Sequence, residues 1–312
     1  MTEQLKLKLN DSKATRWGAL VIVAFTMMAA YYVNDVVAPL KTMLETDLAW
    51  SSTDFGFFTG GYSFLNVFFL MLIWGGLILD RFGIRFTGKL ATILMVGGTA
   101  LEYYAMTGLA GADATLFGIN EIFGYKTGVF VAFAGYSIFG VGAEVAGITV
   151  SKIIAKWFKG KELATAMGVQ VALARIGSQA GYAVAIPLAR AFGISTPVLL
   201  GLVLLLGGMI AFFIFAVMDK KLDKQMEAAA IAAGTEDEEE KFSFKDVKNI
   251  LVNPGFWLIA LLCVLFYSCV FPFQKFASEL MIIKYGINEN VAGTFAGLPA
   301  LGALILTPVF GG

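Results

Sequence analysis

The sequence predicts an all-α, multi-span membrane protein on three observations: its composition, the length of its apolar runs and the placement of its basic residues. Of 312 residues, 58% are hydrophobic and only 15% are charged, with a mean hydropathy of +0.77. That is more apolar side chain than a water-soluble core can hide. The apolar residues form long uninterrupted runs, not the short alternating patterns of a globular domain. Net charge is zero and the pI is about 6.4, so nothing points to a nucleic-acid partner. There is no histidine, and the two cysteines, Cys263 and Cys269, share one apolar run at a spacing that does not stack on a helix. Neither a disulfide, a metal site nor another cofactor is expected. With no nucleophile motif, metal cluster or glycine-rich phosphate loop, an enzyme is the least supported class.

The elements follow in chain order. Residues 1–16 are polar, lack the pattern of a signal peptide and form an N-terminal segment. A helix needs roughly 20 apolar residues to cross the hydrocarbon, which gives about seven full spans and a truncated eighth. They fall near 17–39, 54–79, 87–109, 127–151, 163–189, 196–218, 255–280 and 291–312. Basic residues concentrate in alternate connections: Lys6, Lys8, Lys13 and Arg16 before span one, Arg81, Arg85 and Lys89 after span two, Lys156, Lys159 and Lys161 after span four, and Lys220, Lys221, Lys224, Lys241, Lys245 and Lys248 after span six. The opposite connections hold fewer: Lys41 beside Glu45 and Asp47, Lys126, Arg190 and Lys284. The positive-inside rule makes the N-terminus and the basic connections cytoplasmic. The long polar stretch 219–253, with its acidic run Glu236 to Glu240, reads as a solvated tether between two bundles. The expected organisation is a cytoplasmic N-terminus (1–16), a six-helix transmembrane bundle (17–218), a cytoplasmic linker (219–253) and an incomplete second bundle (254–312).

Between spans two and three lies Gly76-Leu77-Ile78-Leu79-Asp80-Arg81-Phe82-Gly83-Ile84-Arg85. A helix that stops at the membrane surface and reverses needs a glycine for close approach, a charged pair such as Asp80 and Arg81 to cap it, and Gly83 for the tight turn. This segment resembles the signature loop of the major facilitator superfamily. The resemblance implies the major facilitator fold, and a latch role in which Asp80, Arg81 and Arg85 gate alternating access without touching substrate. Further phrases, Gly61-Tyr62-Ser63 to Asn66, Trp157-Phe158-Lys159-Gly160-Lys161-Glu162-Leu163, Ala174-Arg175-Ile176-Gly177-Ser178 and Val270-Phe271-Pro272-Phe273, resemble the branch that includes the lysosomal dipeptide uniporters. The connection from Leu109 to Lys126 looks longer than in the animal proteins and no acidic dileucine signal stands near the N-terminus, so a bacterial plasma membrane is the expected location. The final Thr307-Pro308-Val309-Phe310-Gly311-Gly312 resembles the approach to a second copy of the loop, so the chain is expected to break off within span eight.

Charged residues at membrane depth are costly and default to function. Glu144 stands mid-span among Gly140, Gly142, Ala143, Ala146 and Gly147. Arg175 stands in span five with Ser178, Gln179 and Tyr182 at i+3, i+4 and i+7, on one helix face expected to line a wet cavity. An acid on span four and a guanidinium on span five suit a zwitterion: Arg175 takes a carboxylate with its planar fork, Glu144 an ammonium. The competing expectation is a Glu144–Arg175 ion pair that only clips two helices together. In the dipeptide-transporter branch the matching positions hold the peptide termini, which is what the resemblance implies here. Tyr62 belongs to a stripe with Thr59, Ser63 and Asn66 that lines the cavity or bonds between helices. Lys275 shares a face of span seven with Tyr267, Phe271, Gln274 and Ser278, beside a kink expected at Pro272, with snorkelling as the rival role. Glu279, one turn on, is expected to pair with it. Tyr31, Asn34 and Asp35 share a face of span one that meets either the cavity or outer water.

The expected function is transport of small zwitterionic solutes, dipeptides first, across the lipid bilayer by rocking of two halves. The alternatives are a proton-coupled symporter or exporter with Glu144 carrying the proton, and a non-transporting receptor or scaffold. No accessory subunit is legible.

Overall fold

The computed structural model describes residues 8–111, 114–233 and 249–302. Its main helices among the described residues are α1 (Lys13–Val36), α2 (Lys41–Asp47), α3 (Ser52–Phe68), α4 (Met71–Thr107), α5 (Thr127–Trp157), α6 (Leu163–Phe192), α7 (Thr196–Ala233), α8 (Pro254–Tyr285) and α9 (Glu289–Ala296). Two-residue strands, Glu121–Ile122 and Tyr125–Lys126, form a small antiparallel hairpin between α4 and α5. Among the described residues, α1 with α2, α5, α7 and α8 each include a stretch long and apolar enough to cross a membrane, and the bent α3–α4 pair supplies a fifth. α6, 30 residues long, falls outside that group; Gln170, Arg175, Ser178 and Gln179 interrupt its apolar run. This is an integral, multi-pass, all-α membrane protein.

Local chemistry fixes the boundaries. Ser12 caps α1 by accepting from the Thr15 amide at 3.4 Å, and a reciprocal Ser51–Asp54 capping box starts α3. Asn253 caps α8 with Pro254 in its first turn, a position where proline's missing N–H costs nothing.

Several expected boundaries shift. The second span is interrupted at Phe69–Leu70, where Leu70 takes a left-handed φ of 52°, and α3 and the start of α4 meet at 58°. Gly83, with φ 76° and ψ 172°, is the one non-helical residue within α4. It is the turn expected there, in a region that L side chains rarely enter. α7 runs past residue 218 to Ala233, so the first part of the expected linker is helix. α8 continues through Pro272 as one helix, and the expected kink does not interrupt it. The acidic run 236–240 and residues 303–312, which hold the end of the expected eighth span and the repeat-like Thr307–Gly312, lie outside the described residues.

α5 packs along both α4 and α3, while α1 packs along α6 and α7. The α4–α5 seam is backbone against backbone: a Cβ on Gly98 would lie 2.5 Å from the Gly135 carbonyl oxygen and collide with the Phe139 amide. Small residues at a membrane helix crossing permit this approach. Tyr136, Phe139, Phe58 and Phe55 fill the core beside it, and Trp157, Phe212 and Phe215 fill it toward the end that carries the N-terminus. That end holds Lys13, Arg16, Arg85, Lys156 and Lys161; the opposite, far end holds Lys41, Arg190 and the hairpin.

Candidate functional site

Tyr31 on α1 lies within electrostatic reach of Arg175, Glu144, Asp35 and Tyr267. Arg175 lies over its ring at 5.6 Å, a cation–π contact that holds a guanidinium in place and leaves its donors free. Tyr62 on α3 donates its hydroxyl to Glu144 Oε1 at 2.7 Å. Gly140, one turn before Glu144, makes this possible: a Cβ there would run into the Tyr62 backbone. Glu144 and Arg175 are not within ion-pair distance among the described residues, so the expected helix clip is not what holds them. Each is oriented by its own tyrosine, and both lie within electrostatic reach of Tyr31.

Lys275 on α8 is turned inward, not toward the surface. Its Nζ donates to the Asn34 carbonyl at 2.5 Å and to the Tyr136 hydroxyl at 3.0 Å, and lies 3.8 Å from Asp35 Oδ1. Tyr136 donates to the same Asn34 carbonyl at 2.8 Å, while the Asn34 amide donates to Asp35 at 2.8 Å. Asp35 is therefore part of a buried network and does not meet outer water. Thr59 donates to the Phe55 carbonyl and Asn66 to that of Tyr62, so only Tyr62 of that stripe bridges helices.

Tyr182 and Gln179 sit elsewhere. Tyr182 is 2% exposed and donates to the Gln274 carbonyl at 3.0 Å. Gln179 reaches the Thr294 carbonyl at 3.5 Å. Both hold α6 against α8 and α9, away from the Tyr31 space, because Gly293 and Gly297 bring α9 onto the α6 backbone. Glu279 corrects another expectation: it pairs with Lys41 Nζ at 2.5 Å and not with Lys275. Lys41, 2% exposed, also holds Glu45 at 2.8 Å and Ser52 at 2.9 Å. With Arg190 on Glu289 and Asn290, these contacts join α8 and α9 to the first six spans at the far end. The N-terminal half of α8 is exposed instead.

In the loop of Gly76 and Gly83, Asp80 and Arg81 do not pair with each other. Asp80 accepts from Lys152 at 2.9 Å, and Arg81 lies over the Phe82 ring at 5.6 Å. Arg85 grips the fully buried Asp219 at 3.2 Å and also Asp223. Asp219 further accepts from Lys156 at 2.8 Å and from the Trp157 indole at 2.9 Å. The loop is thus tied to α5 and α7.

Lys41, Tyr136, Asp219 and Glu102 have no place among the residues expected from sequence. For Glu102 the signal was present: a lone carboxylate in an apolar run, the same signal that marks Glu144. Lys41 and Asp219 lie near span ends, where charge is ordinary, and only their partners distinguish them.

Residues 20–312 match the Major Facilitator Superfamily. The chain belongs to that superfamily. Within it, the chain is 27% identical over 312 residues to the lysosomal dipeptide transporter MFSD1 of Homo sapiens, covering 96% of this chain and 61% of that protein. It is 26% identical over 306 residues to the Pongo abelii protein of the same name, covering 94% and 59%. With the Gallus gallus protein, identity is 32% over 190 residues, 57% of this chain and 41% of the relative. The chain spans about three fifths of the length of the first two.

Proposed function

We propose that this protein moves zwitterionic dipeptides by alternating access, with Arg175 holding the peptide carboxylate and Glu144 the ammonium. The observation that carries the reading is that these two opposite charges both lie near Tyr31 without pairing with each other, each oriented by a tyrosine. Opposite charges at membrane depth normally join as an ion pair or take partners from outside. Tyr62, Tyr267 and Lys275 complete the lining, and Lys275 brings in the second half. Tyr182 and Gln179 act through the α6–α8–α9 contact. The relatives' names agree with this solute class.

The moving bodies are residues 17–218 and 254–312, joined through 219–253. The far-end contacts of Lys41, Lys275 and Arg190 support a conformation closed at that end and open toward the basic end. Asp80, Arg81 and Arg85, with Gly76 and Gly83 shaping the loop, form the latch at the basic end. The N-terminus lies in the cytoplasm, which the gathering of basic residues at one end supports; the membrane proposed is a bacterial plasma membrane.

The test is uptake of labelled dipeptide by proteoliposomes of the full-length protein. Arg175→Ala and Glu144→Gln are each expected to abolish uptake at normal expression. Full transport in both variants would sink the zwitterion reading.

A further inference from the structure

Gly88 on α4 has no room for a side chain: a Cβ there would stand 1.9 Å from the Phe212 ring of α7. That contact seats α7 directly on α4, and the next residue of each helix makes a second one, with the Lys89 ammonium over the Phe213 ring at 5.2 Å. Lys89 stands less than two turns past the Gly83 break. Phe86 and Ile93, three residues before it and four after, are exposed, as are Phe213 and Val217 on α7. α8 and α9 dock on α6 and on the turn between α1 and α2, which leaves this α4–α7 flank to the lipid. Beyond Phe213, Lys220 and Lys224 follow at i+7 and i+11, on the same helix face, and both are exposed. The acids nearby are taken: Arg85 and Lys156 hold Asp219 and Asp223, and Lys152 holds Asp80. Among the described residues no carboxylate, the exposed Glu227 included, lies within ion-pair distance of Lys89, Lys220 or Lys224. An ammonium facing lipid is costly, and an aromatic face offsets only part of that cost.

We propose that the α4–α7 flank binds one anionic phospholipid of the leaflet at the basic end, with the headgroup phosphate between Lys89 and Lys220 and Lys224 beside it. The acyl chains run from there toward the membrane centre along Ile93, Ile210 and Leu206, all exposed on this flank. Position and charge together choose the occupant. The apolar part of the flank belongs to two membrane helices, so what covers it is lipid. Its charged part is three cations with no acid, which favours a headgroup of net negative charge over a zwitterionic one that brings its own ammonium. The seat lies within one bundle and requires no movement of α8. It is independent of the dipeptide reading.

Native mass spectrometry of the full-length protein, reconstituted with equal parts of phosphatidylglycerol and phosphatidylcholine of the same acyl chains, tests the site. One phosphatidylglycerol is expected to stay bound at a collision energy that strips phosphatidylcholine. Lys89→Gln and Lys220→Gln are each expected to lower that retention roughly fivefold, the effect of one lysine on an anionic headgroup, and Lys89→Arg to keep it. Lys159→Gln removes an exposed charge at the same end but on the α5–α6 connection, off the flank, and is expected to change nothing. Glycerol 3-phosphate at millimolar concentration is expected not to displace the lipid. Equal retention of the two lipids, full retention in the Lys89→Gln and Lys220→Gln double variant, an equal loss in Lys159→Gln, or displacement by glycerol 3-phosphate overturns the proposal. The readout contains no transport step, so failure of dipeptide uptake leaves it standing.

Discussion

Tyr62 shows how one hydroxyl orients a charge at membrane depth. Its 2.7 Å bond holds Glu144 in a single orientation and supplies one of the donors a carboxylate needs at depth. A hydrogen bond to a charged acceptor contributes about 1.5–3 kcal/mol. Tyr62→Phe is therefore expected to raise the half-saturating dipeptide concentration roughly tenfold or more, with protein yield unchanged, as read by concentration-dependent uptake. Arg175 is held differently, by the face of Tyr31, which leaves the whole fork available to a carboxylate. The asymmetry suits a ligand whose carboxylate takes two parallel bonds and whose ammonium takes scattered ones.

Helix packing between α4 and α5 depends on which face of α4 a glycine occupies. Gly98 lies against the α5 backbone, whereas Gly97 has nothing within 4 Å of a built Cβ. Gly98→Val is expected to lower thermal stability by several degrees or abolish folded yield, while Gly97→Ala is expected to leave it equal or slightly raised, since alanine is the better helix former by roughly 1 kcal/mol. Thermal unfolding followed by tryptophan fluorescence separates the two. At the basic end, Arg16 bonds Glu162 at 2.7 Å and Lys161 bonds Asp11 at 2.6 Å, fastening the N-terminal segment to the α5–α6 connection. The Arg16 guanidinium holds the Glu162 carboxyl below its ordinary 4.5, and the Lys161 ammonium, helped by the Lys8 amide, holds that of Asp11 below 3.8. Both depressed groups favour the docked segment above their ordinary values and lose that contribution as pH falls beneath them. A spin label at Ala14 is expected to stay immobile at neutral pH and gain mobility only below about 4.5.

Over the whole molecule, α8 and α9 meet the first six spans through Lys41, Arg190, Lys275 and Tyr182, all toward the far end. Lys41 is the most deeply buried of these charges and satisfies Glu45, Glu279 and Ser52 at once. Lys41 is fully buried while Glu45 and Glu279 keep 28% and 21% of their side chains exposed, so removing it costs less than the about 3–5 kcal/mol of a fully buried ionic group. Lys41→Ala is thus expected to loosen the far-end contact and widen the distance between spin labels at Phe192 and Tyr285, both exposed at that end, as read by pulsed electron resonance. An unchanged distance would show that Lys41 serves only the local α2–α3 turn.

Sequence alone determined the class of this protein, because composition and run length answer to the solvent, and a bilayer leaves few solutions for twenty apolar residues in a row. The reversing loop at Gly83 and the depth of Glu144, Arg175 and Lys275 were legible for the same reason: each breaks a strong local rule, by backbone conformation or by charge in hydrocarbon. Partnership was not legible, since it joins residues far apart in the chain. Glu279 could pair with a lysine one turn away or with Lys41, 238 residues distant, and only the docking of α8 beside α2 decides for Lys41. The helix face shared by Arg175, Ser178, Gln179 and Tyr182 likewise divides once α9 arrives, leaving Arg175 at Tyr31 and giving Gln179 and Tyr182 to packing. Glu102 carried a legible charge, but its lack of any hydrogen-bond partner exists only where α5 closes over it through Gly135. Solvent and local geometry are written residue by residue; desolvation and pairing appear only when distant helices meet.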